Sequence, residues 1–208
     1  MPDDAIEDAA EAVAATGARF VGHTSGATGL AALGSVTAAG SGAFSLHPLM
    51  TVPDGETDLT GAPAAIAGSG EDALALARDV ALRLGMRPFE VAEESRAAYH
   101  AAASMASNFL IALEESAVEL LGKAGIPDGR ELLAPLVLRS AANWSDRGGA
   151  ALTGPISRGD EATVARHVAA LEAVDPELLD LYRALAERTA SIAAGRREAE
   201  DASAGVAR

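Results

Sequence analysis

The stretch of this sequence that packs the most chemistry into one turn is Leu152–Asp160, which reads LTGPISRGD. Gly154 allows a positive φ, and Pro155 fixes its own φ at about −65°. Asp160 is placed to cap a helix that begins at Glu161. The spacing therefore predicts a tight, well-defined turn that leads into a capped helix.

Such a turn presents Thr153 and Arg158 beside backbone N–H groups that have no partner inside the helix. A helix N-terminus carries partial positive charge, and with an arginine alongside it suits a carboxylate or phosphate of a ligand. The same pattern is also typical of a plain connection between two helices. The residues alone leave both interpretations open.

A second group of polar residues interrupts a run rich in alanine, methionine and leucine. Tyr99, His100, Ser104 and Asn108 lie in this run. On a helix, His100, Ser104 and Asn108 fall within about 80° of one another, one turn apart along one flank. Buried polar groups need partners, so this flank either bonds neighbouring helices or faces a ligand.

Two further histidines follow segments with strand-like composition. His23 is followed by Ser25 and Gly26, and His47 is followed by Pro48. In open α/β sheets ligands bind outside the carboxyl ends of the strands, so both histidines have the position expected of a binding cleft. A lone histidine is weak evidence, and Ser25-Gly26 also fits an ordinary turn.

Composition excludes several classes of protein. The chain has 208 residues, 49% hydrophobic and 3% aromatic, which is ample for a core built from small aliphatic side chains in helices. Its net charge of −14 argues against nucleic acid and anionic membranes as partners. It has no cysteine, no histidine spacing suited to a metal, and no recognisable secretory signal or apolar span, so we expect a cytoplasmic protein without a metal site.

The pattern of elements changes along the chain. Residues 1–92 alternate helical and extended segments, which predicts an incomplete dinucleotide-binding α/β domain, and residues 93–195 are helical throughout. Residues 196–208 lack apolar periodicity and are predicted to be a disordered tail. The extended segments are predicted at residues 19–22, 43–46, 64–67 and 88–91, and the helices at 3–13, 71–84, 94–124, 130–144, 161–173 and from 175.

Four segments together carry a resemblance to a known family. HTSGA (23–27), SLHPL (45–49), AYHAAASMASNFL (98–110) and LTGPISRGD (152–160), with His167 following, resemble the marker segments of a bacterial family. That family joins a Rossmann-like domain to a helical C-terminal domain known as domain of unknown function 2520. In plan it is similar to pyrroline-5-carboxylate reductase, ketopantoate reductase and the 6-phosphogluconate and β-hydroxyacid dehydrogenases.

The resemblance implies a fold, an activity and a partner. It implies a partial Rossmann-like sheet followed by an all-α domain that makes a homodimer, and an oxidoreductase that uses NADP or NAD on a small polar or anionic metabolite. The implied catalytic residues are His100, the general acid, and Asn108. The implied substrate-binding residues are His47, Ser104, Thr153, Gly154, Arg158 and Asp160, with Pro48 beside His47. The implied cofactor-binding residues are His23, Ser25 and Gly26.

Two departures from the family pattern limit this expectation. Ser104 stands where related β-hydroxyacid dehydrogenases carry a catalytic lysine four residues before the asparagine. No G-x-G-x-x-G phosphate-binding turn occurs, and Gly26–Gly29 and Gly68–Gly70 are poor substitutes. Since the family has strands before the Pro2-Asp3-Asp4 segment, we expect a truncated chain that binds NAD(P)H weakly and is inactive alone.

Two other functions stay open. A non-catalytic dimerising or ligand-binding module would explain the missing glycine turn and the missing lysine. A serine hydrolase that uses Ser25 with a histidine is disfavoured, because Ser25 lacks the G-x-S-x-G elbow.

Overall fold

The first half of the chain forms a four-stranded sheet with a reversal of direction in its middle. The computed structural model describes residues 1–206. The strands, which pair in chain order, are β1 (Phe20–His23), β2 (Gly42–Pro48), β3 (Pro63–Gly68) and β4 (Arg87–Glu90). β1 is parallel to β2 and β3 is parallel to β4, whereas β2 and β3 are antiparallel. The strands lie where the sequence predicted them, but only β1 and β2 end at the edge that carries His23 and His47.

Helices cover both faces of this sheet. The helices of this half are α1 (Ile6–Ala14), α2 (Gly34–Ala38), α3 (Glu71–Arg83) and α4 (Arg96–Ala106). The alanine face of α3, centred on Ala77, packs against Leu46 and Ile66. Ile6 of α1 packs with Ala43. Because alternate residues of a strand point to opposite faces, Ala43 and Leu46 place these two clusters on opposite sides of the sheet.

The long helix predicted over residues 94–124 is wrong in one respect. It is two helices, α4 and α5 (Asn108–Lys123), separated by Ser107 at φ −122° and ψ −77°. The apolar periodicity runs on across this residue, so the pattern gave no sign of the break. Serine is a weak helix former, which makes it a tolerable place for one.

The remainder of the chain is helical in the part that the structure describes. Besides α5, its helices are α6 (Gly129–Arg147), α7 (Pro155–Arg158), α8 (Glu161–Val174) and α9 (Leu179–Val206). Spatial contacts divide the chain into two units after Phe109, later than the predicted boundary after residue 92. α9 continues through residues 196–206, where the sequence predicted a disordered tail. Alanine, glutamate and arginine dominate that stretch and favour helix without an apolar face; residues 207–208 lie outside the described part.

The predicted fold class is confirmed. The chain is an α/β sheet with helices on both faces, followed by a helical C-terminal region. Over residues 1–206, none of the helices has the length and apolarity needed to cross a bilayer.

Candidate functional site

The ends of β1 and β2 bring the two predicted histidine segments to one edge of the sheet. His23 is the last residue of β1 and pairs with Ser45 of β2, and His47 follows two residues later on β2. The turn after β1 then carries Gly26 towards the end of β2. Parallel pairing is the reason that two segments more than twenty residues apart in sequence become neighbours.

Gly26, His47 and His100 meet at this edge. A Cβ atom on Gly26 would lie 2.7 Å from Cδ2 of His100 and 2.7 Å from Cε1 of His47. The two imidazole rings have centroids 6.0 Å apart. Only glycine allows such a close approach of backbone to both rings. Three separate marker segments of the sequence therefore converge on one small region of the first unit.

Tyr99 fixes the orientation of His47. Its hydroxyl oxygen lies 2.6 Å from Nδ1 of His47, and the two rings meet edge to face. The ring of Phe89 packs against Tyr99 from β4, with centroids 5.9 Å apart. Tyr99 belongs to the polar run of the sequence, but no role was predicted for it. Its position next to His100 was the feature of the sequence that could have indicated a role in the site.

These side chains open onto a pocket of about 850 Å³ that lies within the first unit. Its walls come from the start of the β2–β3 loop, from α4 and from the residues at the α4–α5 break. The lining residues are His47, Leu49, Met50, Thr51, Val52, Pro53, Tyr99, His100, Ala102, Ala103, Ser104, Ala106, Ser107 and Asn108. The pocket thus brings together four predicted site residues: His47, His100, Ser104 and Asn108. Its volume is within the range of small-ligand sites.

Burial favours the uncharged forms of both His47 and Tyr99. Burial lowers the pKa of His47 below 6.5, and the proximity of His100 and Arg96 lowers it further, against the opposing effect of Asp3. Burial also raises the pKa of Tyr99, against the opposing effect of Arg96. A neutral imidazole has one donor and one acceptor nitrogen, so either the Tyr99 hydroxyl or the His47 ring can be the donor of this hydrogen bond.

Arg96 is a buried cation near His47, and it was not predicted from the sequence as a site residue. Its side chain is 2% exposed, and Nη2 donates a hydrogen bond of 2.9 Å to Ser45 Oγ. Nε lies 3.6 Å from the Glu93 carboxylate. That carboxylate also rests against Cα of Gly29, where any side chain would collide with it. An arginine one turn before His100, soon after two glutamates, was the pattern in the sequence that could have indicated this ion pair between a buried arginine and an exposed glutamate.

The predicted cofactor residues of the β1 turn are held by contacts within the chain. Ser25 Oγ donates to Asp3 at 2.6 Å and accepts from the backbone N–H of Thr28 at 2.9 Å. The structure therefore supports the reading of Ser25 as a turn residue, and its Oγ is bonded to a carboxylate rather than to a histidine. His23 is 7% exposed, and burial lowers its pKa.

The predicted turn at residues 152–160 lies in the second unit, and its local geometry is as expected. Gly154 has φ +95°, and Pro155 is the first residue of α7. Asp160 caps α8 and accepts from the Thr163 N–H at 3.0 Å. The Asp160 carboxylate already binds the N-terminus of α8, so a side chain of the protein itself takes the position where an anionic ligand was expected. The substrate-binding role of Thr153, Gly154, Arg158 and Asp160 stays a prediction.

The residues suit one part of a dinucleotide better than the other. The pocket offers an apolar wall and several hydrogen-bonding groups, as a nicotinamide ring and its carboxamide require. The turn Gly68–Gly70 lies at the opposite edge of the sheet, beside the start of β2, and Ser69 Oγ there accepts from the Ala43 N–H at 2.9 Å. The first turn of the helix that follows carries Glu71 and Asp72, which repel phosphate. Residues 1–206 therefore fit a nicotinamide but offer no matching turn for its pyrophosphate.

The fold and the edge pocket define a Rossmann-like α/β protein with a helical C-terminal region. Residues 62–189, more than half of the chain, match the family described as domain of unknown function 2520. The chain belongs to this family.

Solved structures show the same fold. A Bacteroides fragilis protein provisionally named an NADP oxidoreductase is 24% identical, with a TM-score of 0.76 over 92% of this chain and 73% of that one. A Thermotoga maritima protein is also 24% identical, with a TM-score of 0.78 over 95% of this chain and 77% of that one. No curated protein sequence matches the chain.

Proposed function

We propose that this chain carries the nicotinamide and substrate side of an NAD(P)-dependent oxidoreductase site that acts on a small metabolite. The observation that carries the proposal is the convergence of Gly26, His47 and His100 near the carboxyl ends of β1 and β2, where the two histidines line one pocket. Ligands of open α/β sheets bind at such edges. The name of the Bacteroides fragilis protein supports this reaction class.

The pocket side chains have separate roles in this proposal. A bound nicotinamide supplies or accepts hydride. His100 gives a proton to, or takes one from, the reacting oxygen or nitrogen of the substrate, because imidazole exchanges protons readily near neutral pH. Asn108 and Ser104 orient the substrate by hydrogen bonds from the same wall. His47 binds the substrate as a neutral imidazole that Tyr99 holds in place.

The residues outside the pocket have supporting roles. In this proposal His23, Ser25 and Gly26 form the cofactor side, where the Ser25 turn and the buried His23 shape the loop after β1. Thr153, Gly154, Arg158 and Asp160 lie in the second unit, and their substrate-binding role is a separate expectation from the sequence.

The first test follows the imidazole C–H signals of the four histidines by NMR while reduced nicotinamide mononucleotide is added. We expect the signals of His47 and His100 to shift and that of His167 to stay. His167 is a matched internal control, because it makes the same kind of contact with Tyr182, at 2.9 Å, in the second unit. NADPH should bind no more tightly than the mononucleotide, because the pyrophosphate has no turn to hold it. Unmoved His47 and His100 signals would refute the proposal.

The second test measures turnover through the absorbance of the reduced nicotinamide, with a panel of small aldehydes, ketones and imines. His100→Gln should remove most of any turnover found, because glutamine keeps a polar group but cannot exchange the proton. Unchanged turnover in this variant would exclude His100 as the acid.

We also propose that the helical unit forms a homodimer. If the chain has no catalytic activity, this dimerisation is its main function. Large apolar side chains of α6 are exposed, among them Leu136, Leu138 (70%) and Trp144 (68%). On α5, Ile111 is 60% exposed. A helix with apolar side chains around its circumference is normally buried, so these helices need a partner surface. A second copy supplies the same apolar surface, as closed symmetric dimers do.

Light scattering after size exclusion tests the dimer. The wild-type chain should elute at twice the monomer mass and Leu138→Asp at the monomer mass. Leu82→Asp is a matched control, since Leu82 is also exposed (58%) but lies on α3 of the first unit, and it should stay dimeric. A wild-type monomer at micromolar concentration would contradict the proposal.

A further inference from the structure

The pocket of the first unit is lined without a lysine, arginine or carboxylate side chain. Among its fourteen lining residues, the polar ones are histidines, a tyrosine, hydroxyl residues and an asparagine. No arginine, lysine, aspartate or glutamate of the described chain takes part in the lining. A site built to hold an anionic substrate carries a cation, commonly an arginine.

Two charged side chains outside the lining have protein partners. Arg96 is buried, its Nη2 donates to Ser45 Oγ at 2.9 Å, and the Glu93 carboxylate lies 3.6 Å from its Nε, while Nε and Nη1 have no hydrogen-bond partner among the described residues. Asp3 accepts a hydrogen bond of 2.6 Å from Ser25. Burial lowers the pKa of His47, and the proximity of His100 and Arg96 lowers it further, which disfavours a positive charge on this imidazole.

One wall of the pocket is apolar. Leu49, Met50, Val52 and Pro53 come from the loop after β2, and the alanines of α4 face the same space. Hydrogen-bonding groups are concentrated at His47, Tyr99 and His100 and at the α4–α5 break. The pocket therefore combines a polar head region with an apolar body.

We propose that this pocket binds an uncharged ligand in which a carbonyl, amide or hydroxyl group is attached to an apolar body. A carboxylate in this pocket would lose hydration without gaining an arginine or lysine partner, and the net charge of −14 would repel it further. This inference rests on the proposed function in one respect, because it takes the pocket to be the substrate site. The sequence predicted a polar or anionic substrate, and the inference restricts this expectation to uncharged substrates.

The test compares two probes with the same apolar body, 4-methylpentanamide with a neutral head group and 4-methylpentanoate with a charged one. Each is titrated into the full chain at neutral pH without nicotinamide, and the His47 and His100 imidazole signals report binding. We expect the amide to bind at least about tenfold more tightly, which corresponds to ~1.4 kcal/mol. Because no cofactor is present, this result is independent of whether the proposed oxidoreductase activity is found.

A matched pair of variants locates the effect in the pocket. Ala103→Lys places an ammonium group in the lining and should shift the preference towards the carboxylate. Ala101→Lys adds the same charge at an exposed position of α4 outside the lining and should leave the preference unchanged.

Three results would overturn the proposal. The first is equal or tighter binding of the carboxylate by the wild-type chain. The second is a carboxylate preference that Arg158→Ala removes, which would assign anion recognition to Arg158. The third is an absence of any shift of His47 and His100 with either probe at millimolar concentration.

Discussion

Gly26→Ala should destabilise the first unit by overfilling the space between two imidazole rings. The added Cβ would lie 2.7 to 2.8 Å from three ring atoms of His47 and His100, where carbon atoms normally stay about 3.5–4.0 Å apart. Both rings must move, and the hydrogen bond of 2.6 Å between His47 and Tyr99 is lost or weakened. Overfilled packing typically costs about 1–3 kcal/mol.

Gly34→Ala is the matched control for this substitution. A Cβ at Gly34 meets no atom within 4 Å, and the residue already has helical angles of φ −59° and ψ −39°. Alanine is favoured over glycine in a helix by about 0.5–1 kcal/mol. The two alanine variants should therefore differ in free energy of unfolding by about 1.5–4 kcal/mol, with Gly26→Ala the less stable.

Urea unfolding followed by circular dichroism measures this difference, and the imidazole C–H signals show whether the rings have moved. Gly26→Ala should shift the signals of His47 and His100 and leave that of His167 in place. A Gly26→Ala chain as stable as Gly34→Ala, with unmoved histidine signals, would refute the close packing described here.

Three further predictions concern charge and capping. Folding holds the pKa of His23 and His47 below 6.5, so the unfolded chain binds more protons as the pH falls. The free energy of unfolding should therefore fall as the pH drops from 7.5 through 6.5. Urea unfolding at several pH values should show a smaller fall for His23→Gln than for the wild-type chain. Arg96→Met should raise the pKa of His47, because the arginine charge lowers it, and an unchanged NMR titration of His47 would contradict this. Asp160→Ala should cost about 1 kcal/mol by removing the cap on α8, while Asp160→Asn, measured beside it in urea, should cost much less.

The elements of the fold could be predicted because their signals are local. Short apolar runs between turn residues gave the four strands, and α3 ends within one residue of its predicted end at residue 84, just before Gly85 at φ +73°. The Asp160 cap of α8 was also predicted correctly, since it depends on neighbouring residues alone. The short helices α2 and α7 were not predicted. The break at Ser107 was missed, because the apolar pattern runs on across it. The continuation of α9 was missed, because its last residues carry no apolar pattern.

The candidate site was predicted only in part. His47, His100, Ser104 and Asn108 were singled out by residue type and spacing, and they share one pocket. Arg96 was missed, because its importance comes from burial beside Ser45, a residue about fifty positions earlier in the chain. Tyr99 lacked a role for the same reason, since its partner His47 is brought to it by the sheet.

The sequence by itself determined the fold class, most of the elements, the Asp160 cap and the polar residue types available for chemistry, since these follow from periodicity, backbone preference and composition. Only the tertiary structure decided which of those residues meet. Parallel pairing of β1 with β2 places Gly26 beside the ring of His47, and His47, Tyr99 and His100 line one pocket that reaches the α4–α5 break. Burial and distance between chain-remote side chains set that arrangement, and no local pattern records them.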